Sequence, residues 1–164
     1  MRAPWSLLCV LGLSALIASG CGRIQSQPLL ATLPLTAGGV TLDQSLVVDD
    51  SLWVGRPEDD VLAALGKRRP DATMVDRYSN SVDGEIGAIA VSDISGDLLL
   101  KTVVEVWDAA AAVSRTQTTI GDRDVWVLEM RPGRVFLAYR RDSTVYWASS
   151  DNQSLAEEFI AAMP

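Results

Sequence analysis

Apolar residues follow three patterns along the chain, and the first is a continuous run near its start. Residues 7–18 are apolar except for Gly12 and Ser14. A helix of this length spans about 18 Å, whereas the hydrocarbon core of a bilayer is roughly 30 Å thick. The run is therefore too short to span a membrane comfortably. Together with the basic Arg2 before it, the run is typical of a signal-peptide core.

The second pattern is an apolar period of three to four residues, which predicts three helices. Residues 57–66 begin with proline and end with glycine, which favour the start and the end of a helix. Residues 98–110 contain β-branched valines that would also suit a strand, but length and period favour a helix. The third helix covers 155–163, where Ser154 and Glu157 have capping-box spacing.

The third pattern consists of short runs rich in β-branched and aromatic residues between turn signals, and it predicts strands. The last four strands are joined by short turns and therefore form an antiparallel meander. In the turn Arg131-Pro132-Gly133-Arg134, proline and glycine take the central positions, as in a type II turn. The predicted strands are residues 40–42, 46–48, 72–78, 86–91, 115–120, 125–130, 135–139 and 145–148.

These elements predict an α+β fold, in which a mainly antiparallel sheet is packed by about three helices. A strand, a polar turn and a helix occur twice in succession, which suggests a pseudo-repeat of two sheet-plus-helix halves. We expect a signal peptide at residues 1–20, a lipidated cysteine with a short linker at 21–34, and a single exported domain at 35–164. The linker has polar residues and two prolines but no apolar period.

The apolar run ends in Ala18-Ser19-Gly20-Cys21, and small residues before a cysteine suit the cleft of a signal peptidase. This segment resembles the lipobox of bacterial lipoproteins. The resemblance implies that signal peptidase recognises Ala18, Ser19 and Gly20, and that Cys21 carries diacylglycerol with acyl chains such as palmitate. The mature protein would then be exported and anchored to a bacterial membrane through Cys21. An ordinary secretory signal and an uncleaved N-terminal anchor are the alternatives.

The exported domain resembles a group of exported bacterial proteins for which no activity is known. Gly38-Gly39-Val40 is similar to the residues that open their domain. Residues 121–125 are similar to their Gly-x-x-Val hairpin, with one residue more. Residues 161–164 are similar to their ending, which follows a strand, a polar turn and a helix. The resemblance implies an α+β sheet with helices.

Charge and two missing residue types narrow the chemistry. The net charge is −7, which disfavours nucleic acid as a partner because its phosphates would repel the chain. The sequence has no histidine, and its two cysteines are Cys9 in the signal peptide and Cys21. The exported domain would therefore lack an imidazole and a free thiol. Ser-His-Asp catalysis, Cys-His catalysis and most zinc sites are excluded, and we predict no cofactor.

Carboxylates are the main remaining candidates for chemistry, but simpler explanations exist for most of them. A helix start, a solvated loop and helix capping account for the acidic clusters without a metal ion. Glu85 and Glu129 are one pair that could act as general acid and base on a glycosidic bond, although 21 carboxylates offer many such pairs. The clusters that could hold a hard cation are Glu58-Asp59-Asp60, Asp49-Asp50, and Asp93 with Asp97.

Tryptophan and arginine are the candidate contact residues. Trp107, Trp126 and Trp147 lie in periodic apolar segments, so we expect them in the core. Trp53 lies in a loop-rich stretch and is our candidate for an exposed contact. Arg140-Arg141 precedes a turn and could bind an anionic group, or it could be the solvated end of a hairpin.

These observations favour a membrane-anchored, exported, non-catalytic interaction or accessory module that binds an envelope protein. A carrier of a small ligand or lipid, with an apolar pocket between sheet and helices, is the first alternative. A carboxylate-dependent envelope hydrolase is the second. The partners implied are therefore the membrane, through the lipid anchor, and either an envelope protein or a small ligand.

Overall fold

The computed structural model describes residues 28–42, 44–47, 57–79, 81–131 and 133–164. Several predicted features lie outside these ranges. They are the signal peptide, the recognition residues Ala18, Ser19 and Gly20, the lipidation residue Cys21, the acidic pair Asp49-Asp50, and the exposed-contact candidate Trp53.

The described residues form nine strands and three helices, with a helical turn at residues 28–30 and a 3-10 turn at Arg69–Asp71. The strands are β1 (Thr36–Ala37), β2 (Val40–Thr41), β3 (Gln44–Val47), β4 (Ala72–Tyr78), β5 (Gly84–Val91), β6 (Ala112–Ile120), β7 (Arg123–Met130), β8 (Arg134–Arg141) and β9 (Thr144–Ser150). The helices are α1 (Pro57–Ala64), α2 (Gly96–Ala111) and α3 (Gln153–Ala162).

Seven strands form one antiparallel sheet in the order β3-β4-β5-β9-β8-β7-β6, and β1 pairs with β2 in a separate ribbon. The predicted meander of β6 to β9 is confirmed, and β9 joins it to β5 at the centre of the sheet. This arrangement confirms an α+β fold with a mainly antiparallel sheet. Strands β8 and β9 are buried on both faces because neighbours lie on both sides and helices lie above and below.

The two faces of the sheet carry separate hydrophobic cores. On one face, α3 and residues 29–42 cover a core that includes Leu137, Tyr146 and Phe159. On the other face, α1 and α2 cover a core that includes Phe136, Trp147 and Leu99. We call these the α3 face and the α2 face. Alternate residues of β8 and β9 belong to alternate cores, as the two-residue period of a strand requires.

Two local predictions need correction: the end of the linker and the residue that caps α3. The predicted linker reaches residue 34, but Leu33 is 3% exposed, and Leu29 and Leu30 pack against the α3-face core. Apolar leucines draw this segment onto the domain despite its prolines, so the packed domain includes residues 28–34.

The predicted capping box at α3 is also wrong. The Asn152 side chain accepts the hydrogen bond from the Leu155 N–H, which places the cap two residues before Ser154.

The turn between β7 and β8 differs by one residue from the predicted one. The Gly133 N–H donates to the Met130 carbonyl at 2.8 Å, so the hydrogen-bonded turn begins at Met130 rather than at Arg131. Strand pairing resumes at Met130 with Arg134. Gly133 has φ +101°, and the predicted need for a positive φ at this glycine is confirmed.

The predicted pseudo-repeat of two halves stays a prediction. Its two units are β5 with α2 and β9 with α3, and β5 and β9 are antiparallel neighbours. A two-fold axis normal to the sheet would exchange these strands but would leave both helices on one face. In the structure, α2 and α3 lie on opposite faces.

Candidate functional site

Strands β7 and β8 separate at one end of the sheet. Their pairing runs from Met130–Arg134 to Trp126–Ala138 and stops there. Each strand remains paired with its other neighbour further on, to Ile120–Arg123 in one hairpin and Arg141–Thr144 in the other. The β6–β7 and β8–β9 hairpins therefore diverge towards their tips. We call the space between their tips and the flank of α2 the hairpin cleft.

The hairpin cleft has a volume of about 840 Å³ and is lined mainly by charged side chains. This volume falls within the range of small-molecule sites. The flank of α2 supplies one wall, and β6, β7 and β8 supply the other. Its cations are Lys101, Arg115, Arg123, Arg140 and Arg141, and its carboxylates are Asp97, Glu105, Asp122 and Asp124.

Residues at the end of α3 close the cleft on the α3 face of the sheet. The Arg123 guanidinium donates at 2.7 Å to the backbone carbonyl of Ile160 and at 2.7 Å to that of Met163. The Tyr139 hydroxyl donates at 2.6 Å to the Pro164 carbonyl oxygen. Side chains from the two diverging strands therefore hold the segment after α3 in the gap where pairing between β7 and β8 has stopped.

Tyr139 keeps its proton at neutral pH. It is almost fully buried, its ring stacks on Tyr146 with centroids 5.5 Å apart, and the Arg123 guanidinium lies 5.1 Å from the ring centroid. Burial raises the pKa of Tyr139 to about 12, and the neighbouring Arg123 only partly offsets this effect. The hydroxyl is therefore a hydrogen-bond donor, as its contact with the Pro164 carbonyl oxygen requires.

Trp126, on β7, lines the cleft as part of the wall contributed by the sheet. It is half-buried, and the Arg115 guanidinium lies 5.4 Å from its ring centroid, within the distance of a cation–π contact. Arg115 also pairs with Asp108 in the last part of α2 at 3.1 Å. Gln117 lies opposite Trp126 in the β6–β7 ladder and is exposed.

The α2 wall is joined to the β8–β9 hairpin at the start of the helix. Arg140 donates to the Asp97 carboxylate, and Lys101 and Glu105 form an i, i+4 pair at 3.8 Å. A side chain at Gly96 would collide with the Asp142 carbonyl, so the hairpin tip lies directly against the helix. Ser95 caps α2 by accepting from the Leu98 N–H. These contacts fix the spacing of the two walls at this end.

Two charged side chains in the cleft make no ion pair or hydrogen bond with any residue that the structure describes. They are Arg141 and Asp124, both exposed. Exposed ion pairs are weak, so Lys101 and Glu105, whose side chains are both exposed, are also available for exchange with a charged ligand. Of the predicted anion-binding pair Arg140-Arg141, one residue is engaged by Asp97, and the other is free among the described residues.

The predicted cation ligands do not converge in the described part of the chain, which contains no cluster of three acidic, histidine or cysteine side chains suited to a metal ion. Asp59 pairs with Arg69 at 2.9 Å, and Asp60 is exposed. Asp93 lies 3.9 Å from Lys67, while Asp97 binds Arg140. Asp93 and Asp97 are therefore separately engaged by cations.

Glu85 and Glu129 do not form an acid–base pair. Glu85 alternates with Ile86 on β5 and faces the α2 side, where Arg134 lies 3.9 Å away. Glu129 alternates with Leu128 on β7 and faces the α3 side. The sheet separates the two carboxyl groups, so this pair cannot act on one bond.

The tryptophans divide between the core and the cleft. The prediction that Trp147 and Trp107 pack in the core is confirmed: Trp147 is 4% exposed, and Trp107 stacks on Phe136 with centroids 4.2 Å apart. Trp126 is half-buried and packs against the α2-face core, as Trp107 does, but it also lines the cleft. Sequence reasoning also missed Arg115, Gln117 and Asp124. The signal that could have found Arg115 and Gln117 is the run of polar residues on both faces of β6, which is typical of a sheet edge, whereas Asp124 lies at the start of β7.

Comparison with protein-family models, with curated proteins and with solved structures found no match for this chain. Within the part of the chain that the structure covers, no helix combines the length and the apolarity needed to cross a bilayer.

Proposed function

We propose that this protein is an exported, lipid-anchored, non-catalytic interaction module that binds a charged segment of an envelope protein in the hairpin cleft. The observation that carries the proposal is the cleft of about 840 Å³, in which side chains of both charge signs line two walls. Charge patterns of this kind steer association and select partners more than they add affinity. The lipid anchor at Cys21 follows from the resemblance of residues 18–21 to a lipobox.

A charged occupant fits the cleft better than a lipid does. Lipid carriers need an apolar cavity, whereas the cleft is lined mainly by charged groups. An apolar cavity between α1, α2 and the sheet, lined by Val61, Val103 and Trp147, has a volume of about 10 Å³. Such a space is no larger than about one water molecule, far too small for an acyl chain. The alternative function is therefore that of a carrier that binds a small, charged ligand in the hairpin cleft.

Site-specific photo-crosslinking in the native membrane tests the proposal. A photoreactive residue replaces Gln117, which lies in the cleft, in the full-length chain. We expect it to capture a specific envelope protein other than a second copy of this chain. A matched probe at Gln153, an exposed glutamine at the start of α3, should not capture that protein. Equal capture at both positions, or none at Gln117, would contradict the cleft as the binding site.

A charge-swap variant sharpens the same experiment. Arg141→Glu combined with Asp124→Lys leaves the net charge unchanged but exchanges the signs of two cleft groups without described partners. We expect capture at Gln117 to fall by about tenfold, because the complementary charges of the partner would now be opposed. If native mass spectrometry instead finds a small molecule that dissociates on denaturation, the polar-ligand alternative replaces the protein partner.

The lipid anchor is tested separately. Replacing Cys21 with alanine should abolish incorporation of a labelled fatty acid, because the proposed acyl attachment begins at its thiol. Replacing Cys9 with alanine is the control and should leave labelling unchanged. Labelling that persists without Cys21 would show that the lipobox interpretation is wrong.

A further inference from the structure

Strand β6 is an edge strand with an open side. In the described residues, β6 pairs with β7 and with no other strand. Alternate residues of an edge strand direct backbone N–H and C=O groups away from the sheet, where another strand can pair with them. Five consecutive residues, 115–119, are exposed, so side chains on both faces of this part of the strand reach solvent. The open side therefore belongs to a strand that lacks cover on both faces.

The strand has few of the features that prevent edge pairing. It is nine residues long and contains neither proline nor lysine, and its irregular pairing with β7 is confined to Ala112 and Ser114. Its one charged residue, Arg115, is held by Asp108 and stacks on Trp126, so its guanidinium is drawn over the α2 face rather than across the edge. Natural edge strands usually carry charges, prolines or bulges that block pairing.

We propose that two copies of this chain pair through antiparallel β6 strands and form one continuous sheet. Antiparallel pairing of identical strands about a two-fold axis is self-complementary. With the axis at Thr116, Ser114 would face Thr118 of the second copy, and Arg115 would face Gln117. Threonine and serine form favourable cross-strand pairs, and no like charges are directly opposed.

A second copy also covers an exposed apolar residue. Val113, at the start of β6, is 58% exposed and is one of few large apolar side chains exposed in the described residues. In the same register, Val113 would lie near Thr119 of the second copy, whose methyl group would shield it. The register therefore places polar groups against polar groups and this apolar side chain against a methyl group.

Cysteine scanning of β6 in the full-length chain tests the pairing and its register. Single cysteines replace residues 114, 116 and 118 in turn, and a short bismaleimide crosslinks membranes that contain each variant. We expect a maximum of covalent dimer at Thr116→Cys, since directly opposite residues on paired strands have Cβ atoms about 5 Å apart. The unmodified chain, with Cys9 and Cys21, gives the background, and Thr41→Cys in β2 is the exposed control.

A maximum at 114 or 118 would support pairing of two copies in a shifted register. Crosslinking at the background level throughout β6 would overturn the proposal. Crosslinking to a different protein would overturn self-pairing and assign the edge to a heterologous strand.

Sedimentation of the full-length chain in detergent gives an independent measurement. We expect a dimer, and Thr116→Lys should weaken it by about tenfold or more because two lysines would meet at the axis. Thr41→Lys adds the same charge away from β6 and should leave the dimer intact. A chain that is monomeric at all concentrations, or a dimer unaffected by Thr116→Lys, would overturn the proposal. The cleft variants at positions 124 and 141 should not change this dimer, so the two proposals can fail separately.

Discussion

Trp147 and Trp126 face the same side of the sheet but have different surroundings. Trp147 lies on the central strand β9 beneath α1 and α2, and its ring occupies the space left by Gly87, where a side chain would collide with it. Trp126 lies on β7 and is half-buried: it packs against the same core, but it also lines the cleft, and the Arg115 guanidinium lies 5.4 Å from its ring centroid. An alternating apolar pattern identifies the face of a residue, whereas the neighbouring helix determines whether that residue belongs to the core or to a binding surface.

The largest expected effect separates these two residues. Replacing Trp147 with alanine removes a fully packed ring and should lower the free energy of unfolding by about 3–5 kcal/mol. Replacing Trp126 should cost less, about 1–2 kcal/mol, because part of its ring already contacts solvent. Urea denaturation of both variants measures the difference. Equal losses would mean that the cleft wall is as tightly packed as the core.

A second prediction concerns the buried residue Tyr139 and the dependence of protein stability on high pH. The pKa of Tyr139 is raised to about 12 in the folded protein, whereas an unfolded tyrosine titrates near 10. Its contribution to stability is therefore complete below about pH 10 and is lost as the pH rises through the folded pKa, by about 2–3 kcal/mol in total. We expect a Tyr139→Phe variant to lose this pH dependence between pH 10 and 12.

Tyr78→Phe serves as the control for that measurement, since Tyr78 lies on β4, away from the cleft. Thermal unfolding should show the alkaline loss of stability in the control as in the unmodified chain. If the Tyr139→Phe variant keeps the full loss, the segment after α3 does not depend on a buried, protonated hydroxyl.

A smaller effect is expected at the closed end of the β7–β8 pair. Gly133→Ala places a side chain at φ +101° in a turn where space is free but the backbone conformation is unfavourable. We expect a loss of about 1 kcal/mol in the free energy of unfolding. Arg131→Ala in the same turn is the control and should have little effect. An unchanged melting temperature for Gly133→Ala would show that this turn contributes little to closing the two strands.

The smallest expected effect on stability is at Arg141, at the end of β8 that borders the hairpin cleft. Arg141→Glu should change the free energy of unfolding by less than about 0.5 kcal/mol, because no described residue pairs with Arg141. Arg134, at the other end of β8, donates to Asp83 at 2.5 Å and to Ser149. We expect Arg134→Glu to cost about 1 kcal/mol or more. A larger loss for Arg141→Glu would identify it as a structural residue.

Much of the secondary structure was predictable because it depends on local periodicity. The strand at residues 72–78 was predicted with its observed bounds, and α2 formed as a helix despite its valines. The apolar stripe of α2 and the cap at Ser95 outweighed the weak preference of β-branched residues for strands. The α3 cap was missed because Asn152 and Ser154 both suit that position, and the chain path out of β9 decides between them.

The sequence by itself determined the three helices, most of the strands, their order, the antiparallel meander, and the absence of imidazole from the sites of this chain, but not strand β1. It also placed a lipobox-like segment before the domain, which stays a prediction. The tertiary structure alone decided where β7 and β8 separate, which side of the sheet each helix covers, and how residues far apart in sequence, such as Asp97 and Arg140, form one cleft. Periodicity reports which residues of an element are buried, but the register and cover of neighbouring elements arise from contacts between distant segments. The candidate site lies where the pairing between β7 and β8 stops, at Trp126 and Ala138.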